Sequence, residues 1–120
     1  MEMTAVEPSG QPTPVPKHIG PNIFPDFPTF HRLLYLATVQ RNKIAIHDVA
    51  AGIKATHCQY LSDILHLRNL ILSRLEPATQ EKLLRGEEVY ICLLAQGGYE
   101  FAVGLLAIVT LGAIAVPICK

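Results

Sequence analysis

The stretch FAVGLLAIVTLGAIAVPIC, Phe101 to Cys119, runs nineteen residues without a charge before Lys120. Its reading decides the fold. As one segment it passes the roughly 18 apolar residues that make a membrane helix a candidate. Gly112 and Pro117 do not exclude a span, since membrane helices tolerate both. Read instead as helix, stop and strand, Gly112 falls where a helix ends and Pro117 where a strand closes. The helical part, Phe101 to Leu111, is about 16 Å long at 1.5 Å per residue, half a bilayer core. Gln96-Gly97-Gly98, at the inner edge, offers no aromatic belt or basic cluster. The buried β-α-β reading is therefore favoured, with a span at about residues 97–119 as the competing one.

Outward from that stretch, the preceding residues support the same choice. EVYICLLA is a near-continuous apolar run of strand length, the pattern of a strand covered on both faces. Gly97-Gly98 turns it into the apolar helix. Further back, Thr56-His57-Cys58-Gln59 has the form of a capping box, with Thr56 as N-cap and Gln59 three residues on. The helix it opens carries Leu61, Ile64, Leu65, Leu72 and Leu75 on one face and stops before Pro77. ATQEKLLRG reads as a short helix ended by Gly86. KIAIHDV and IKATH read as two strands joined by a turn over Asp48–Gly52. Phe30, Leu33, Leu34 and either Ala37 or Thr38 share a face of an earlier helix, with Thr29 as its N-cap. The fold class is α/β: a partial parallel β-α-β sheet preceded by a helix and a short β-hairpin.

Seven of the nine prolines lie in residues 1–28. Proline fixes φ and cannot donate to a ladder, so 1–28 reads as a disordered leader and 29–120 as the folded unit. Pro25-Asp26-Phe27-Pro28 has the PxxP spacing of a groove ligand, but with an acid inside it.

Ten basic and ten acidic residues give a formal net charge of zero. This removes the basic stripe that nucleic-acid binding needs. Cys58, Cys92 and Cys119 are far apart and odd in number, which indicates neither a zinc site nor a disulfide framework. The start, Met1-Glu2-Met3-Thr4, shows no secretory signal. An intracellular, cytoplasmic protein with reduced thiols is the expectation.

The residues that could carry chemistry are few. A phosphate site at Gly97-Gly98 lacks the GxGxxG and GxxxxGK[ST] patterns, and Glu100 would repel the anion. His47, His57 and His66 with Cys58 match no metal-ligand spacing. A Cys58–His57 nucleophile pair has no orienting third group. Arg68 and Arg74 read as the solvated face of the long helix.

Taken in order, Phe30 to Pro117 resembles the opening of the adenylate-forming, AMP-binding superfamily of acyl-CoA synthetases. THCQYL stands at the family's helix entry, where Thr56 and Gln59 fit and His57 departs from the usual Tyr. Glu100-Phe101, Ala107, Gly112-Ala113 and Val116-Pro117 keep the identity and spacing of the family's later motif. GAIAVPIC looks most like the malonyl-CoA synthetase-type branch. The resemblance implies an intracellular ligase that uses ATP, Mg²⁺ and CoA to convert a carboxylic acid to acyl-CoA through an acyl-adenylate. The family's phosphate loop, its aromatic-Thr-Glu motif, its ribose-binding Asp and its lid Lys have no counterpart here. No catalytic, cofactor-binding or metal residue is therefore assigned, and the chain by itself is expected to bind no cofactor. The expectation is a truncated fragment that lacks activity alone and meets its missing remainder or another synthetase chain as partner.

Overall fold

The computed structural model describes residues 25–118. Most of the proline-rich leader, together with Cys119 and Lys120, lies outside the described residues. The chain is α/β, with four helices and two small sheets.

Helix α1, Pro28–Val39, starts two residues earlier than a Thr29 cap implies. Its N-cap is Phe27, and Pro28 stands at the first helical position. Proline there has φ pre-set for the helix and loses only an N–H that would have no partner. Thr29 is thus inside the first turn and not the cap. Of the two candidates for its buried face, Ala37 is fully buried, whereas Thr38 is exposed and donates its hydroxyl to Leu34 O at 2.8 Å.

Strands β1, Ile44–Asp48, and β2, Ile53–Thr56, form the antiparallel hairpin, with an irregularity between Ile44 and Ile46. Gly52 supplies the positive φ of +70° that the turn requires. Helix α2, His57–Arg74, follows at once, and Thr56 Oγ1 accepts from Gln59 N–H at 3.1 Å. Only this half of the capping box forms. The Gln59 side chain turns forward and donates to Asp63 Oδ1 at 2.8 Å. Helix α3, Pro77–Leu84, ends at Gly86, and Gln80 Nε2 donates back to Leu72 O and Leu75 O at the end of α2.

The decisive stretch divides. Strand β3, Tyr90–Leu93, leads into helix α4, Tyr99–Thr110, and strand β4, Ile114–Pro117, returns parallel to β3. Gly112, at φ +82°, separates helix from strand. Among the described residues no helix is long and apolar enough to cross a membrane. The helix of the 97–119 stretch is only twelve residues long.

The elements stack in sequence. Ala37 of α1 packs with Leu61 and Leu65 of α2. The adjoining face of α2, through Tyr60 and Ile64, meets Tyr99, Val103 and Ala107 of α4. Ile108 of α4 then closes on Val89 and Ala113, with Ile91, Leu93 and Ala115 partly buried against them. Leu61, Ile64 and Leu65 are the largest fully buried side chains. Each contributes roughly 1.5–3 kcal/mol by removal from water. Leu72 and Leu75, near the end of α2, are only half-buried.

Two expectations change here. β3 is covered on one face and not both: Ile91 and Leu93 turn toward α4, while Tyr90 and Leu94 are each 61% exposed. The described chain has no second layer to cover the other face. Arg68 is not on a solvated face but 6% exposed. It follows Leu61, Ile64 and Leu65 at helical spacing, so the periodicity carries it inward despite its charge.

Candidate functional site

The densest polar constellation lies where the hairpin, α2 and α4 converge. Asp48 ends β1 and reaches across the chain. Its Oδ1 accepts from Ala51 N–H at 3.1 Å, and its Oδ2 accepts from Tyr99 N–H at 3.0 Å. A carboxylate there complements the positive end of the α4 backbone. These backbone donors, Tyr99 first, hold the Asp48 carboxyl below its ordinary range.

Gly98 makes this approach possible. It is the α4 N-cap at φ +110°, and a Cβ at that position would run into Asp48 Oδ2. The glycine pair therefore forms a turn against a carboxylate, and the chain's own acid fills the anion position at the helix start. Glu100 adds a second negative charge in the first turn of α4.

One turn deeper, Tyr99 Oη donates to Asp63 Oδ2 at 2.5 Å. Burial, and then the Asp63 carboxylate, push the Tyr99 phenol far above its ordinary value. Tyr60 Oη donates to Ala102 O at 3.1 Å, and the Tyr60 and Tyr99 rings sit 6.1 Å apart at 53°. Such a tilted pair lies in the favourable range for aromatic contacts. Gln59, Asp63, Tyr99 and Tyr60 thus tie α2 to α4 through hydrogen bonds and a ring contact.

Two depressions flank the constellation. A cleft of about 220 Å³ is lined by Asp48, Ala50, Ala51, Ile53, Gln96, Gly97 and Glu100. An apolar groove of about 400 Å³ runs between α2, α4 and β3, with Leu67, Leu93, Val103 and Gly104 among its lining and Asp63 and Glu100 beside them.

The sequence candidates do not assemble. His47 lies on β1, His57 opens α2 and His66 is exposed further along α2. Among the described residues no group of three or more His, Cys, Asp or Glu side chains could hold a metal ion. The Cys58 thiol is pushed up by burial, the opposite of an activated nucleophile. Asp26 Oδ1, within the PxxP stretch, lies 2.7 Å from His31 Nε2 of α1. Asp48, Asp63, Tyr60 and Tyr99 were not singled out from sequence. The one available signal was a pair of tyrosines on otherwise apolar helix faces, where a buried hydroxyl needs a partner.

No family model matches this chain, nor does any curated protein or solved structure. Its own geometry carries the functional reading. These side chains are held by one another and by the backbone, which makes the constellation a structural junction beside an apolar groove.

Proposed function

We infer that this chain is the opening subdomain of an acyl-CoA-synthetase-like, adenylate-forming ligase, working only as one component of a larger assembly. The carrying observation is the parallel β3–α4–β4 unit with α4 on one face and apolar side chains bare on the other. Parallel sheets are normally buried on both faces, so a half-covered pair is the beginning of a larger layer. The residue pattern Glu100-Phe101, Ala107, Gly112-Ala113 and Val116-Pro117 supports the ligase resemblance. Its glycine sits at the helix-to-strand turn and its proline at the strand end.

In the complete family fold, a carboxylate attacks the α-phosphorus of ATP, giving acyl-adenylate and pyrophosphate, and CoA then displaces AMP. That chemistry rests on positioning and on stabilising phosphoryl charge. The groups at the α4 N-terminus here are acidic and would oppose a phosphate. The isolated chain, given ATP, Mg²⁺, CoA and a panel of carboxylic acids including malonate, releases no pyrophosphate above a protein-free control. Release well above that control would overturn the component reading.

A second reading is favoured by the same bare surface: the chain is an interaction protein that docks on a partner, such as another synthetase chain. Tyr90, Leu94, Ile114, Val116 and Ile118 are all exposed. Apolar side chains gathered in this way mark association surfaces. Light scattering separates the outcomes. Association or partner-dependent solubility supports the reading, and a stable, monodisperse monomer counts against it.

A further inference from the structure

Helix α3 is held differently from the other helices. Helices α1, α2 and α4 each bury two or more side chains, whereas α3 buries none. Leu84, its last residue, is 88% exposed. Leu83 reaches the core, partly buried against Val89, Ile108 and Ala113. The polar tie to the body comes from Gln80, whose Nε2 donates to Leu72 O at 2.8 Å and Leu75 O at 3.1 Å. Carbonyls at a helix end lack helical partners, so this side chain also completes the end of α2. The nearby ion pairs, Arg85 with Glu81 and Glu87, stay within α3 and the residues just after it. They shape the turn and do not dock the helix.

Both ends of α3 are backbone breaks. Leu75 and Glu76 are extended, at ψ 144° and 147°, and Pro77 cannot continue the α2 ladder. Gly86, at φ +74°, turns the chain out of the other end with nothing within 4 Å of where a Cβ would stand. Between these breaks stand eight helical residues. Isolated helices shorter than about 12–15 residues are marginal in water, so α3 keeps its helix only while docked. We propose that α3 is a hinged strap, docked by Gln80 and Leu83, that undocks and melts as one unit while the rest of the fold stays closed.

The strap lies over one end of the β-α-β unit. Val89, which Leu83 covers, accepts from Ile114 N–H at 2.7 Å, where β3 meets β4. Undocking takes Leu83 away and opens the Val89, Ile108 and Ala113 cluster to solvent. The strap thus controls access to that end of the sheet. The inference rests on how α3 is held and not on the ligase resemblance or the bare sheet face. Pyrophosphate release and strap opening therefore fail independently.

The test is amide hydrogen exchange of the full chain, with and without low urea. The amides of Leu83, Leu84 and Arg85 should share one opening constant, at least about tenfold above that of Ile64 and Leu65 in α2. Low urea should speed Ile64 and leave α3 nearly unchanged, because a short strap exposes little surface. Gln80→Ala should raise the shared constant about tenfold. Alanine is the better helix former, so helix propensity works against that increase. Gln80→Arg, which still offers N–H groups to the same carbonyls, should raise it less. If circular dichroism shows Gln80→Ala unfolded, the shared constant and its urea response in the parent decide the matter. Protection in α3 equal to that in α2 overturns the proposal. So do values that fall off stepwise from the helix ends, or a folded Gln80→Ala that exchanges as the parent does.

Discussion

The Asp48 carboxylate, at the end of β1, accepts the backbone N–H of Tyr99, fifty-one residues later, at 3.0 Å. One side chain thus caps α4 from the hairpin and joins the two halves of the fold. Its oxygens can accept these bonds in full only while ionised, so the joint is sensitive to acid.

Replacing Asp48 with Ala removes the cap and lowers the thermal midpoint. Asp48→Asn keeps an acceptor and loses less. The folded carboxyl is depressed, so its stabilisation is present above the unfolded carboxylate range and lost as pH falls through the folded value. Urea midpoints from pH 6 to 2 should fall more steeply for the parent than for Asp48→Asn. Parallel curves would remove Asp48 from the acid transition.

Gly98 and Gly52 both have positive φ, at +110° and +70°, but only Gly98 faces an obstacle. Gly98→Ala suffers backbone strain and a collision with Asp48, and should cost about 2–3 kcal/mol. Gly52→Ala meets strain alone, roughly 1 kcal/mol. Gly52→Asn, tolerant of the left-handed region, should cost less still. Chemical denaturation of the three variants checks the order, and equal losses at Gly98 and Gly52 would contradict it.

Tyr99→Phe deletes the hydroxyl bonded to Asp63, at a cost of about 1–3 kcal/mol for a bond to a charged acceptor. The phenol is raised in the folded chain, so its stabilisation is complete below the unfolded tyrosine value. It is lost as pH rises from there toward the folded one. Ultraviolet titration with stability measured above pH 9 should show a steeper alkaline loss in the parent than in Tyr99→Phe. Ionisation of Tyr99 at the ordinary tyrosine value would contradict the burial that raises it.

Local signals were legible where one or two neighbouring residues decide the conformation. Thr56 capped α2, and Gly112 with Pro117 divided the apolar stretch after Phe101 into helix and strand. Thr29 misled because Pro28, its neighbour, sets the helix start more strongly than a hydroxyl does. Arg68 misled because its charge was weighed above its position on the face of Leu61, Ile64 and Leu65. The Asp48–Tyr99 and Asp63–Tyr99 bonds left no trace in local sequence. They depend on how the hairpin, α2 and α4 pack, at separations of 51 and 36 residues. The bare face of β3 was illegible for a related reason, since a continuous apolar run says a strand can be covered on both sides, not what covers it.

The account rests on β3 being a strand paired in parallel with β4 whose other edge has no backbone partner among the described residues. Hydrogen exchange of backbone amides, read by nuclear magnetic resonance on the isolated chain, tests this most directly. The prediction is alternation: Ile91, Leu93 and Val116 protected by the ladder, with Cys92 and Leu94 exchanging far faster, and α4 protected separately. Uniform protection from Tyr90 to Leu94 would mean the edge is already filled. Unbroken helical protection from Phe101 through Val116 would replace the β-α-β unit with a single long helix.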